Sequence, residues 1–181
     1  MAASAAYFGF PFDRAASLDA LAATVAQASE DHDLRVRLTL DRSGRVAAEA
    51  TDLPASASRP VRVALDRDPV DPSDVWLFHK TTRREPYERR RAARPDVDDV
   101  LLTNTRGEVT ESTVANLAVL LDGTWMTPPR DAGLLAGTYR DVLLREGRLV
   151  ERAVTVEGLL RTDEVALISS VRGWRPAEVV T

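Results

Sequence analysis

The spacing of hydrophobic residues changes from helical to strand-like near residue 34. Before that point, the apolar residues of segment 18–28 recur at the spacing of one helix face. From Leu34 onward, apolar and polar residues alternate with a period of two, which is typical of a half-buried strand. The elements predicted in this part are helices 2–8 and 17–29 and strands 34–40, 46–50 and 61–65. They predict a small α+β lobe, residues 1–68.

A short segment rich in aspartate and proline, residues 66–74, follows this lobe and predicts a linker. Short strands and helices then occur in mixed order. The predicted strands are 75–80, 100–103, 108–111, 114–121, 124–127, 150–156 and 165–169. The predicted helices are 84–93, one that follows Gly137 and runs through Arg145, and a turn near Leu159. We expect a two-lobed α+β or α/β fold with a second lobe over residues 75–181.

Charge and hydropathy restrict the classes of function. The chain has 181 residues, a net charge of −4 and a pI near 5.3, which argues against a general nucleic-acid-binding protein. The arginine-rich segment 83–94 also contains Glu85 and Glu88, so a solvated helix face is expected there. No apolar run approaches the roughly 20 residues of a membrane span, and the first residues lack a secretion signal. We expect a cytoplasmic protein without nucleic-acid or membrane partners.

Cysteine is absent, and histidine occurs only at positions 32 and 79. The absence of cysteine excludes disulfides, thiolate metal sites and cysteine nucleophiles. Two histidines are few for a histidine-based metal centre or a serine triad. We therefore expect no metal site.

Lys80 is the only lysine, since 23 of the 24 Lys and Arg residues are arginine. A guanidinium stays protonated at any working pH, whereas a primary amine can lose its proton and form an imine with a carbonyl. Codon bias in a GC-rich genome is the alternative explanation for a single lysine. Because the residue ends the predicted strand 75–80, we expect a rigidly held, reactive amine.

Three further positions carry candidate chemistry. Glu111 could face the ring nitrogen of a pyridine and keep it protonated, although a lone glutamate at a strand end is also typical of a solvated edge charge. Gly137, Thr138 and Tyr139 begin a predicted helix, whose free N–H groups and dipole suit a phosphate; a plain helix cap is the alternative. The hydroxyl groups of residues 169 and 170 could complete a phosphate site.

The order of these motifs resembles the class IV aminotransferases, which are the fold-type IV pyridoxal phosphate enzymes. The chain carries GEVTES followed by Asn116, a Thr-Pro-Pro segment, a GxxxGT helix start and a final small polar pair. Within that group, the phrases FHKTTRREPYE, LLTNTRGEVTESTVANL and SSVRGW are most similar to 4-amino-4-deoxychorismate lyase. The resemblance extends over nearly the whole chain and implies a D-amino-acid aminotransferase-like fold.

The resemblance implies a cofactor, pyridoxal 5′-phosphate, and a role for each matching residue. Lys80 corresponds to the lysine that binds the cofactor and moves protons, and Glu111 to the carboxylate beside the pyridine nitrogen. Gly137, Thr138 and Tyr139 correspond to the phosphate-binding helix start. The same phosphate is expected near Ser170, and the substrate carboxylate is expected at Arg172. Tyr87 follows the lysine by seven residues rather than the five of the branched-chain enzymes, so no role is transferred to it.

As a lyase, the protein would convert 4-amino-4-deoxychorismate to 4-aminobenzoate and pyruvate in folate biosynthesis. The alternative within the same fold is a branched-chain or D-amino-acid aminotransferase. The resemblance also implies a homodimer that acts on a small-molecule substrate.

One departure concerns the N-terminus. Family members carry a longer segment before the phrase SAAYFGF, including an arginine that contacts the cofactor phosphate, whereas this chain starts at Met1. We therefore expect a truncated N-terminal lobe. A third hypothesis follows from it, namely a cofactor-free pseudoenzyme or binding subunit.

Overall fold

The computed structural model describes residues 1–28 and 32–180 and forms two compact units, Met1–Ser56 and Ala57–Thr181. The sequence-based division into 1–68 and 75–181 lies at a different place. The difference arises because the strand Val61–Leu65 pairs with strands of the second unit rather than with those of the first.

The first unit contains two helices and a hairpin: α1 (Ala2–Phe8), α2 (Arg14–Ala26), β1 (Leu34–Leu40) and β2 (Val46–Asp52). Helix α2 begins three residues earlier than its predicted start, Ser17, because the Asp13 carboxylate caps it by accepting the N–H of Ala16 at 3.1 Å. Its predicted end, Ser29, lies outside the described residues. The two strands pair antiparallel, as their alternating pattern predicts.

Within residues 57–180, nine strands form one sheet. They are β3 (Val61–Leu65), β4 (Asp99–Thr103), β5 (Glu108–Ser112), β6 (Asn116–Leu121), β7 (Thr124–Thr127), β8 (Val150–Glu151), β9 (Val154–Thr155), β10 (Glu164–Ser169) and β11 (Gly173–Val179). The strand order is β8-β7-β6-β10-β11-β3-β4-β5-β9, and β5 also pairs with β6. This additional pairing closes the central strands into a ring and brings the ends of β5, β6 and β10 together.

Residues 57–180 also form three α-helices: α3 (Glu85–Ala92), α4 (Thr138–Arg145) and α5 (Val156–Leu160). Leu143 of α4 packs against Ala118, Ala166 and Ile168 of the sheet. Burial of these apolar side chains fixes the position of α4 beside β6 and β10.

An ion pair fixes α3. The Arg90 side chain is 11% exposed and donates from Nε to the Asp66 carboxylate at 2.5 Å. At least this arginine of segment 83–94 is therefore not part of a solvated face. The pair orients the side of α3 that carries Tyr87 toward the sheet.

The predicted strand 75–80 is wrong. Residues Val75–Phe78 form a 3₁₀ helix, and Lys80 lies in the loop that follows it. The reason is local: the Asp74 carboxylate accepts the N–H of Trp76 at 3.0 Å and starts a helical turn. Lys80 therefore does not end a strand.

Other differences are smaller. Strand β6 begins at Asn116 rather than Val114, because Ser112 and Ala115 close a tight turn in which the Ser112 hydroxyl accepts the N–H of Ala115 at 2.9 Å. The predicted strand 150–156 is divided into β8 and β9. Strand β11 was not predicted.

Among the described residues, no helix is long and apolar enough to cross a bilayer. Within residues 1–28 and 32–180 there is also no group of three or more His, Cys, Asp or Glu side chains that could hold a metal ion.

Candidate active site

Glu111 near the end of β5 is a buried carboxyl group, with only 5% of the residue exposed. Tyr87 Oη lies 3.4 Å from Oε1, and Asn116 Nδ2 lies 3.4 Å from Oε2. Burial raises the pKa of Glu111 to about 8, although the Leu135 N–H, the Tyr87 hydroxyl and the positive charges of Lys80 and Arg84 act in the opposite direction. The solvated edge charge considered from the sequence is therefore excluded, and a cation placed beside this carboxyl would favour its ionised form.

Tyr87 on α3 is held between Glu111 and an arginine. The Arg84 guanidinium lies 4.4 Å from the centre of the Tyr87 ring and also donates to the backbone oxygen of Thr113. Burial and the nearby Glu111 carboxylate raise the pKa of the Tyr87 hydroxyl, so it remains a hydrogen-bond donor. The sequence assigns no role to Tyr87, because its contact with Glu111 joins α3 to β5 across 24 positions of the chain and no local pattern reveals it.

Lys80 lies in the exposed loop between the 3₁₀ helix Val75–Phe78 and α3. Its charge lowers the pKa of Glu111, so the two groups are close enough to interact electrostatically. The structure thus brings together an amine and a buried carboxyl group that are separated by about 30 positions in the sequence.

The start of α4 lies next to the same carboxyl group. Asn116 Nδ2 donates to the Leu135 backbone oxygen at 2.7 Å, and Asn116 Oδ1 accepts the N–H of Gly137 at 3.1 Å. Gly137 caps α4 without a side chain, and the first N–H groups of a helix have no intrahelical acceptor. Because the Gly137 N–H is already bound, the N–H groups at Thr138 and Tyr139 are the donors left for an anion.

Ser170 occupies the exposed turn between β10 and β11. In the preceding strand, Ile168 pairs with Asn116 of β6, so this turn lies at the same end of the sheet as Glu111 and the start of α4. Ser169 Oγ accepts the N–H of Arg172 at 3.2 Å and shapes the turn.

The candidate residues therefore fall into one region. Glu111, the start of α4 and the Ser170 turn are brought together by the closure of β5 on β6, by the pairing of β6 with β10 and by the hydrogen bonds of Asn116. Lys80 comes from the loop before α3 and interacts electrostatically with Glu111. The structure adds Tyr87, Arg84 and Asn116, which contact or surround Glu111.

The chain belongs to the amino-transferase class IV family, whose sequence profile matches residues 1–180. This confirms the resemblance found in the motifs.

Individual relatives agree with this assignment. A Schizosaccharomyces pombe protein named "Putative aminodeoxychorismate lyase" is 34% identical over 136 residues, which cover 72% of this chain and 58% of that protein. The chain thus spans little more than half the length of that relative. The crystal structure of a "Putative amino-acid aminotransferase" from Mesorhizobium loti is 35% identical, with a TM-score of 0.90 over 98% of this chain and 87% of that chain.

A "Putative 4-amino-4-deoxychorismate lyase" from Legionella pneumophila has the same fold. It is 22% identical, with a TM-score of 0.83 over 98% of this chain and 74% of that chain. The expected fold-type IV architecture is confirmed by these structures.

Proposed function

We propose that this chain is a pyridoxal 5′-phosphate-dependent enzyme whose reaction is the conversion of 4-amino-4-deoxychorismate to 4-aminobenzoate and pyruvate. The observation that carries the cofactor assignment is the buried carboxyl group of Glu111 within electrostatic reach of the single lysine. A buried acid of this kind is costly to ionise unless a cation faces it. A protonated pyridine nitrogen is such a cation.

The other parts of the site fit the same cofactor. The N–H groups at Thr138 and Tyr139 begin a helix whose cap has no side chain, which suits a phosphate. The Ser170 hydroxyl lies on a turn at the same end of the sheet and would add a further donor. When bound, pyridoxal phosphate supplies an aldehyde carbonyl and an electron-accepting ring.

Each protein group then has a defined task. Lys80 Nζ would bind the carbonyl, be displaced by the substrate amine, and accept the proton that leaves the substrate ring. Glu111 would hold a proton on the ring nitrogen. Arg172 would bind a substrate carboxylate. The bond between the ring carbon and the enolpyruvyl oxygen would break as the substrate ring becomes aromatic, which provides the driving force, and the released enolate would take up a proton on its methylene carbon to become pyruvate.

An amino-acid aminotransferase is the second candidate, favoured by the similarity to the Mesorhizobium loti protein at 35% identity. In that reaction Lys80 would move a proton between two carbons rather than remove one from a ring. The lyase is preferred because the Lys80 and Glu111 phrases resemble the lyases and because the Schizosaccharomyces pombe relative carries that name. A homodimer and a cytoplasmic location complete the proposal.

Two assays on one preparation separate the candidates. Purified protein loaded with pyridoxal phosphate is given 4-amino-4-deoxychorismate, and pyruvate is measured; in parallel, amino acids and keto acids are tested for amino-group exchange. Pyruvate release that is absent in Lys80→Ala supports the lyase. Exchange without pyruvate release supports the aminotransferase, and failure to bind the cofactor would support the cofactor-free hypothesis.

A further inference from the structure

The side chain of Asn116 joins the two halves of the candidate cofactor site. We propose that Asn116 is a positioning residue, which fixes the Glu111 carboxyl group and the start of α4 at a set distance from each other. The inference rests on the proposed function, because Asn116 would hold the carboxyl group that faces the cofactor ring nitrogen at a fixed distance from the helix start that binds the cofactor phosphate.

The orientation of the Asn116 amide is determined by its partners. Nδ2 donates to the Leu135 backbone oxygen at 2.7 Å and to Glu111 Oε2 at 3.4 Å, whereas Oδ1 accepts the Gly137 N–H at 3.1 Å. A flipped amide would place Oδ1 against the Leu135 oxygen and Nδ2 against the Gly137 N–H. Only one orientation satisfies all of these partners.

The backbone of Asn116 is fixed as well. The residue is 5% exposed and begins β6, where it lies opposite Glu111 of β5 on one side and opposite Ile168 of β10 on the other. Its side chain has only two rotatable bonds, so the position of the amide follows closely from the position of the sheet. Through its hydrogen bonds to Leu135 and Gly137, the amide therefore fixes the start of α4 relative to the sheet.

This contact explains why position 137 is glycine. Gly137 has a φ of −70°, which every residue type can adopt. A Cβ at this position would instead lie 2.3 Å from Asn116 Oδ1, far inside a normal contact. The sequence assigns Gly137 to phosphate binding, whereas the structure assigns both its N–H and its lack of a side chain to Asn116.

Asn104, which directly follows strand β4, offers a matched control in the same compact unit. It is also buried, at 2% exposure, and its Nδ2 donates to Glu108 Oε2 at 2.7 Å and to the Ala132 oxygen at 2.9 Å. Its Oδ1 accepts the N–H groups of Arg106 and Glu108 at 2.9 and 3.0 Å. Asn104 thus has the same kind of partners as Asn116, but none of these contacts belongs to the candidate active site.

The test is a double-mutant cycle on the variants Asn116→Ala, Gly137→Ala and the combination of both, with Asn104→Ala as control. Pyridoxal phosphate affinity is measured by titration, and urea unfolding is measured without the cofactor. We expect Gly137→Ala to lower the affinity by roughly tenfold more in the wild-type background than in the Asn116→Ala background, because the clash disappears with the amide. Asn104→Ala is expected to lower stability and leave the affinity of the folded protein unchanged.

The outcomes separate the two claims. If the wild-type protein does not bind pyridoxal phosphate, the proposed function fails, and the positioning role fails with it. If it binds and the two substitutions act independently on affinity, the positioning role of Asn116 is refuted while the function stands. The inference would also be refuted if Asn116→Ala, like Asn104→Ala, lowered the free energy of unfolding and left the affinity for pyridoxal phosphate unchanged.

Discussion

Glu111→Gln should remove a specific pH dependence from the stability of the cofactor-free protein. Glu111 has an ordinary pKa of 4.5, and burial raises it to about 8 in the folded protein. Between these two pH values, the folded protein retains a proton that the unfolded chain has released. The free energy of unfolding of the wild type must therefore fall as the pH rises through this interval and then become constant.

The size of this effect follows from linkage. The folding equilibrium loses a factor of ten for each pH unit in the interval, and the full interval from 4.5 to about 8 corresponds to a loss on the order of 5 kcal/mol. Glutamine has a similar shape and no titrating proton. The stability of Glu111→Gln relative to the wild type should therefore increase steadily between pH 5 and 8.

The assay is urea unfolding at a series of pH values, followed by tryptophan fluorescence. The tryptophans at positions 76, 125 and 174 all lie in the second compact unit, so they report on the unit that contains Glu111. The difference between variant and wild type cancels the titration of the other groups.

Glu108→Gln provides a control of opposite sign on the same strand. Side-chain hydrogen bonds from Asn104 and Arg106, together with the positive charge of Arg106, lower the pKa of Glu108. Its contribution to stability is therefore present above its ordinary pKa and is lost in acid, so Glu108→Gln should destabilise the protein at neutral pH. If Glu111→Gln and the wild type instead lose stability in parallel across the series, the account of Glu111 as a buried, proton-holding carboxyl is refuted.

Further predictions concern the surroundings of this site and the core beside it. Tyr87→Phe removes a hydrogen-bond donor that lowers the pKa of Glu111, so in the same urea series the loss of stability with rising pH should continue to a higher pH than in the wild type. If the loss ends at the same pH in both proteins, the Tyr87 hydroxyl does not act on Glu111. Leu143→Ala should lower the free energy of unfolding by about 2–5 kcal/mol, because Leu143 is fully buried between α4 and the sheet; a loss below about 1 kcal/mol would contradict this packing. Arg140→Leu should lower the free energy of unfolding by about 1–3 kcal/mol, because the Arg140 side chain is 3% exposed and its loss leaves the buried Pro128 oxygen without this donor, whereas its other partner, Glu151, is 45% exposed; an unchanged free energy in urea unfolding would contradict this reasoning.

Elements with strong local signals were predicted from the sequence. Helix α4 begins after Gly137 and ends at Arg145 as expected, and β3 and β7 have their predicted bounds. In these segments the turn residues and the hydrophobic pattern agree. The 3₁₀ helix Val75–Phe78 was missed because a short apolar run fits either a strand or a helical turn, and one hydrogen bond from Asp74 determines the outcome.

Strand β11 was missed for a different reason. It contains Pro176, which argues against a strand inside a sheet. In the structure, the pairing of β11 with β3 begins at Ala177, after the proline. Pro176 lies opposite Ala166 of β10, and only the ladder with β3 excludes it. Because β3 is more than 100 residues away in the sequence, no local pattern reveals where that ladder begins.

The candidate site was predictable where chemistry depends on residue type and order. Lys80 and Glu111 could be proposed because a single lysine and a glutamate in a family motif are visible in the sequence. The roles of Tyr87 and Asn116 depend on contacts between separate elements, and these could not be read from spacing. The sequence also does not show that the Gly137 N–H donates to Asn116, or that a side chain at position 137 would collide with Asn116.

The most direct test of the central claim is to reduce the protein with borohydride in the presence of pyridoxal phosphate and to map the modified residue by mass spectrometry. Because Lys80 is the only lysine, the amino group of Met1 is the only competing primary amine in the chain. We expect a pyridoxyl group on Lys80 and its loss in Lys80→Arg. Modification confined to Met1, or none at all, would show that Lys80 is not the residue that binds the cofactor.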